Sequence, residues 1–119
     1  MAVQRIMLRS KIHRATVTAS ILEYEGSLAV DRDLLDAADM LPNEKVLVAN
    51  LANGERAETY LIEAPRSSGT LCLNGAMAHL GKPGDEIIVF TFCVLNETQV
   101  KTHKPIVVHV DKQNRLVHP

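Results

Sequence analysis

Seven runs of this chain read as strands, period-two patterns being more frequent than helical ones: VQRIMLR, KIHRATVTA, EKVLVAN, RAETYLIE, TLCLN, EIIVFTFCVL and PIVVHV. Period-two alternation sends successive side chains to opposite faces of a pleated strand, so the chain is committed to a mainly β fold. Helical spacing survives in two short pieces. DRDLLDAADML has Asp31 or Asp33 as N-cap and Pro42 as its stop, and NGAMAHLG runs from Asn74 to a glycine stop at Gly81. Asn53-Gly54 predicts a hairpin joining residues 45–52 to 55–63. Two brief helices cannot supply the crossovers of a doubly wound parallel sheet, so a small closed β-barrel is expected. The apolar stretch 87–95 reads as a strand buried on both sides, its outer side covered by oligomerisation.

A length of 119 residues suits one domain able to bury a core without metal or disulfide staples. The only aromatic residues are Tyr24, Tyr60, Phe90 and Phe92, so the core should be aliphatic and stacking platforms for bases are scarce. A net charge of −1, with basic residues scattered among acids, argues against a nucleic-acid partner. Cys72 and Cys93 form no CxxC and fit reduced thiols. The opening MAVQRIMLRSK lacks the apolar core of a signal peptide, and IIVFTFCVL is about half a membrane span. The expectation is a cytoplasmic protein with no membrane partner.

Phosphate loops, HExxH, GxSxG and paired-cysteine zinc spacings are absent. The histidines are dispersed, so no metal site is expected, and His79, His103, His109 and His118 read as surface or capping residues. Lys11 and His13, two apart on a strand, share a face. Arg56, Thr59 and Tyr60 crowd the stretch after the hairpin, where an arginine can grip a carboxylate through two hydrogen bonds. Gly26-Ser27 interrupts a strand-like run with two residues that weaken a β-ladder.

These features occur in company. KIHRATVT (11–18), YEGS (24–27), DLLDAADMLPNEKV (33–46), NG (53–54), RAETY (56–60), LNGAMAHL (73–80) and GD (84–85) follow one another in an order and spacing that resemble the pyruvoyl-dependent aspartate 1-decarboxylases over nearly the whole chain. The resemblance implies a six-stranded double-psi β-barrel in a single domain spanning residues 1–119. It further implies a homotetramer with sites between subunits and self-cleavage between Gly26 and Ser27. The products would be a β chain (1–26) and an α chain (27–119) that begins with a pyruvoyl group made from Ser27.

Serine suits that position because its hydroxyl attacks the Gly26 carbonyl to give an ester, a step that needs strain and hydrogen bonds to stabilise the adduct. Loss of the Ser27 Cα proton expels the Gly26 carboxylate, and hydration of the dehydroalanine leaves a ketone and ammonia. The resemblance implies that this ketone forms a Schiff base with L-aspartate and accepts the electrons released with CO2, giving β-alanine for pantothenate and coenzyme A. Tyr60 resembles the proton donor. Thr59 and the backbone of Gly75, Ala76 and Met77 resemble substrate-binding elements, Thr59 also supporting the cleavage adduct. Lys11 and Arg56 look like the cations that hold the two substrate carboxylates, with His13, Tyr24 and Asn74 lining the pocket. The implied partners are L-aspartate, further copies of the chain and, where maturation is assisted, a maturation factor. The family usually has alanine where Met77 stands. Thr59 and Tyr60, as neighbours, need either a bulge or a barrel edge to serve one site. Two rival readings are a dimeric regulator with basic loops and an uncut, inactive family member.

Overall fold

The structure, a computed structural model, describes residues 3–117; His118 lies outside them, as do Met1, Ala2 and Pro119. The first two alternating runs fuse into β1 (Gln4–Thr16), and the tail of the second opens β2 (Ala19–Ile21). The other runs give β4 (Lys45–Asn50), β5 (Arg56–Ala64), β6 (Leu71–Asn74), β7 (Glu86–Asn96) and β8 (Ile106–Val110). The interrupted run forms β3 (Ser27–Asp31), and a two-residue β9 (Leu116–Val117) completes the set.

All nine strands join one mixed sheet in the order β2-β6-β3-β5-β4-β7-β1-β8-β9. Among the described residues this ladder does not close on itself, so the mainly β class holds while hydrogen bonds draw no closed six-stranded barrel. Its two distant members β1 and β2 are nevertheless consecutive stretches of chain. One end of residues 4–21 therefore lies between β7 and β8, and the other beside β6. Val17 and Thr18, which join them, bond through their backbone N–H groups to Asp85 O and Leu71 O, each at 2.8 Å. The inward faces meet in an aliphatic core that includes Ile12, Leu28, Val48, Leu61, Leu73 and Val89. Truncating Ile12, Leu28, Leu61 or Leu73 to alanine costs about 2–5 kcal/mol.

The first helix, α1 (Arg32–Ala38), starts where Asp31 accepts a bond from the Asp33 N–H at 2.8 Å. It stops at Asp39, in left-handed backbone at φ 54°, three residues before the proline expected to close it. The second helical piece is a 3-10 turn, Gly75–His79. A further short helix, α2 (Glu97–Val100), begins at a capping box of Asn96 and Gln99 that the strand patterns did not foreshadow. Asn53-Gly54 does sit in the hairpin between β4 and β5, with Gly54 at φ 74°. The loop is longer than the two-residue kind, because Asn50 N–H bonds Glu55 O at 2.8 Å and closes it four residues wide.

Within one chain strand β7 is buried on one side: Ile87, Val89 and Thr91 face the core, whereas Phe92 and Val94 are 46% and 59% exposed. The alternation is that of a strand whose outer face has nothing packed on it within one chain.

Candidate active site

The Gly26-Ser27 bond crosses from an exposed loop into the sheet. Gly26 is exposed, whereas Ser27, the first residue of β3, is 1% exposed. Ser27 pairs with Asn74 of β6, and Leu28 pairs with Leu61 of β5. Tyr60 and Ser27 therefore immediately precede one ladder pair on neighbouring strands, each on the face opposite its core-facing leucine.

Gly26 has ordinary backbone, and a Cβ added there would meet nothing within 4 Å. The close packing comes from across the sheet. Gly75 sits at φ 63°, and a Cβ on it would lie 2.8 Å from both Cα and N of Gly26 and 2.7 Å from Tyr24 O. Glycine at 75 is thus what lets the 24–26 loop close over the start of β3.

Around the Ser27 hydroxyl the polar groups form one directed chain. Cys72 Sγ donates to Asn74 Oδ1 at 3.1 Å, Asn74 Nδ2 donates to Ser27 Oγ at 3.2 Å, and Ser27 Oγ donates to Glu25 O at 3.4 Å. All three side chains are buried. Asn74 also stands at the N-cap of the 3-10 turn without capping it, because its amide is engaged in this chain instead. Burial pushes the Cys72 thiol up from its ordinary value, so it stays protonated and able to donate.

The other sequence-selected residues fall into separate groups. Arg56, at the start of β5, lines a shallow pocket of about 320 Å³ with Ala76, Met77 and His79. Met77 is otherwise part of the core. Thr59 and Tyr60 point to opposite faces: Thr59 pairs with core-facing Val46 and Tyr60 with Lys45, and the register between β4 and β5 has no bulge. Lys11 pairs with Phe90, Phe90 with Leu47, and Leu47 with Glu58. Lys11, Phe90, Leu47, Glu58, Tyr60 and Arg56 consequently share the outer face of the sheet. Lys11 and β5 remain separated by β7 and β4, three strand spacings or roughly 14 Å. One chain therefore gathers Ser27, Asn74, Gly75, the Tyr24 backbone and Tyr60, and leaves Lys11 and His13 elsewhere.

His13 stands beside His109 of β8, ring centroids 5.8 Å apart and edge-on. Its Nδ1 is buried without a hydrogen-bond partner. Burial first, then the charges of Lys11, His109 and Arg14, holds its pKa below the ordinary 6.5, against an opposing contribution from Glu86. Arg14, next to it, takes φ 62° at the break in register between Ile12 and Ala15. His103 is held by β1, its Nε2 2.7 Å from Leu8 O. The sequence reading passed over Cys72, although Cys-x-Asn on a strand places both side chains on one face. It also passed over His109 as the neighbour of His13, since nothing local announces a parallel pairing of β1 with β8.

No helix among the described residues is long and apolar enough to cross a membrane. Comparison with known proteins adds the chemistry. The sequence profile of the family described as aspartate decarboxylase matches residues 3–117. An aspartate 1-decarboxylase of Myxococcus xanthus is 56% identical over 114 residues, 96% of this chain and 88% of that protein. Namesakes from Heliobacterium modesticaldum and Thermoanaerobacter pseudethanolicus are 52% and 49% identical over 95% and 97% of this chain, and over 86% and 98% of their own lengths.

Proposed function

Since the chain belongs to the aspartate decarboxylase family, a family of carboxy-lyases that make β-alanine from aspartate, we propose that it makes its own catalytic group by cleavage between Gly26 and Ser27. The observation that carries this reading is the buried Ser27 hydroxyl, one residue from an exposed glycine and held by Asn74. Ser27 Oγ attacks the Gly26 carbonyl carbon; the amide C–N bond breaks, the proton passes to nitrogen, and an ester joins Gly26 to the Ser27 side chain. Loss of the Ser27 Cα proton then breaks the Cβ–Oγ bond, and Oγ leaves as an oxygen of the Gly26 carboxylate. Water adds, ammonia departs, and residues 27–119 begin with a pyruvoyl group in place of Ser27.

The site suits such a group: Asn74 offers an amide donor at the Ser27 side chain, and Gly75 lets the 24–26 loop lie close beside it. When formed, the pyruvoyl group supplies an electrophilic ketone conjugated to an amide that accepts electrons. Tyr60, on the strand beside Ser27, holds the proton to be returned to the substrate carbon. Arg56 and Lys11 bind the two carboxylates of L-aspartate, with Ala76 and Met77 beside Arg56 and His13 and Tyr24 at the rim, while Thr59, on the opposite face of β5, serves the site only where the barrel edge is reached from both faces.

Lys11 lies on the same side of the sheet as Ser27 by register but roughly 14 Å from β5, too far to serve one site within one chain, which supports a homotetramer whose sites combine residues of neighbouring subunits. The continuity of chain from β1, between β7 and β8, to the edge strand β2 beside β6 supports a double-psi barrel closed by the chain itself, forming one domain. The reading includes a cytoplasmic location, in keeping with two cysteines that are both free. It leaves room for a maturation factor.

Intact-mass spectrometry tests the proposal. Purified protein should consist of residues 1–26 and a blocked 27–119 fragment, and Ser27→Ala should remain one uncut chain. A single intact mass for the unmutated chain after prolonged warming would refute it.

A further inference from the structure

We propose that Cys72 is a positioning residue for self-cleavage: its thiol fixes the orientation of the Asn74 amide so that Nδ2–H, and not Oδ1, faces Ser27 Oγ. This rests on the cleavage reading and extends it to a side chain outside the set selected from the sequence. Asn74 has two chemically opposite ends on one rotatable bond. Either end can meet a serine hydroxyl, because a hydroxyl both donates and accepts. A buried thiol beside one end settles the choice, since protonated sulfur is here the donor and Oδ1 its acceptor at 3.1 Å. The amide nitrogen is then left 3.2 Å from Ser27 Oγ, whose own proton is directed toward Glu25 O.

The backbone makes the arrangement rigid. Cys72 and Asn74 are two apart on β6 and so share a face. In the ladder Cys72 pairs with Ala29 and Asn74 with Ser27, so only the small Ala29 side chain faces the thiol from β3. On the other side Cys72 pairs with Ala19 of β2.

The orientation matters for the second covalent step more than for the first. As the Cβ–Oγ bond breaks, both of its electrons stay with Oγ, which becomes part of the Gly26 carboxylate. A donor already aimed at Oγ stabilises that growing charge without reorganising. A flipped amide would present Oδ1 and oppose it. Loss of the thiol should therefore retard elimination from the ester while leaving the N-to-O acyl shift able to proceed.

The test follows loss of precursor in freshly made protein, with hydroxylamine added at intervals to split any ester into chains ending at Gly26 and starting at Ser27. Cys72→Ala is expected to slow formation of the blocked 27–119 fragment about tenfold, with the hydroxylamine-sensitive fraction rising. Cys72→Ser, which keeps a donor, should return the rate to within about twofold. Cys72→Val fills the position without a donor and serves where the alanine variant folds poorly; it should behave as Ala does. Equal rates for the unmutated chain and both donor-free variants would overturn the proposal, as would equal slowing by Ser and Ala with no accumulated ester. If the unmutated chain is never cut, the cleavage reading itself fails and this inference falls with it.

Discussion

The surroundings of Ser27 and the outer face of β1, β4, β5 and β7 carry different halves of the proposed chemistry, and they are built in opposite ways. Around Ser27 the side chains are short, buried and joined by hydrogen bonds within one chain. On the outer face the residues are long and uncovered: Ile6 is 77% exposed, and Phe90 and Phe92 stack with ring centroids 6.4 Å apart beside the exposed ion pair of Lys45 and Glu58. Apolar surface of this kind, continuous over several strands, is what the proposed assembly would cover. The contrast teaches how the proposed labour would divide: one subunit would hold what is needed to make the electrophile, and gripping the substrate would call for a neighbouring subunit's outer face alongside.

The most forceful way to break the contrast is to place a charge on the outer face. Phe92→Asp would bury an unpaired carboxylate in any assembly covering that face, at a cost of several kcal/mol. Assembly should fail, and aspartate turnover should drop on the order of 100-fold or more, while the two cleavage fragments still form. Light scattering and intact mass on the same sample check both halves. If cleavage is lost along with assembly, the Ser27 region is not self-sufficient in one subunit.

A smaller effect is expected from the other side. Gly75→Ala puts a Cβ 2.8 Å from Gly26 and forces a non-glycine residue into left-handed backbone, costing roughly 1–3 kcal/mol and pushing the 24–26 loop off the sheet. Cleavage should slow and the melting temperature should fall by several degrees, with the oligomeric state unchanged. Gly26→Ala has open space around its Cβ and should perturb stability far less, so comparing the two melting temperatures sharpens the point.

That pair of glycines also marks where sequence reasoning stops. Alternation and Asn53-Gly54 sufficed for seven strand runs and the β4–β5 hairpin, because these signals are local. The glycine that the geometry demands beside the scissile bond is Gly75, contributed from the end of the neighbouring strand β6, and no local pattern marks it. Pairings of β1 with β8, β2 with β6 and β3 with β5 are parallel and non-local, so neither the His13–His109 contact nor the placing of Tyr60 beside Ser27 had a sequence signature. The stop of α1 at Asp39 was missed for the opposite reason. A left-handed aspartate leaves little trace, and Pro42 three residues on looked sufficient.

The mildest prediction concerns His13, where the outer face is least open. Lys11, Arg14, His109 and Lys112 surround it with positive charge, Glu86 and Asp111 oppose them, and burial adds to the resistance against protonation. Its folded pKa therefore lies below the 6.5 of the unfolded chain. Between those two values the unfolded chain binds a proton that the folded chain refuses, so stability is whole above about 6.5 and falls as pH drops through that window. His13→Gln, which cannot titrate, should lose less melting temperature than the unmutated chain between about pH 7.5 and pH 5.5, by on the order of one degree. Equal slopes would mean that the charges around His13 are screened by solvent. An anion or a partner subunit's carboxylate seated against Nδ1 would reverse the sign, which makes the same titration, run on the assembled protein, a reporter of whether this corner of the outer face is covered.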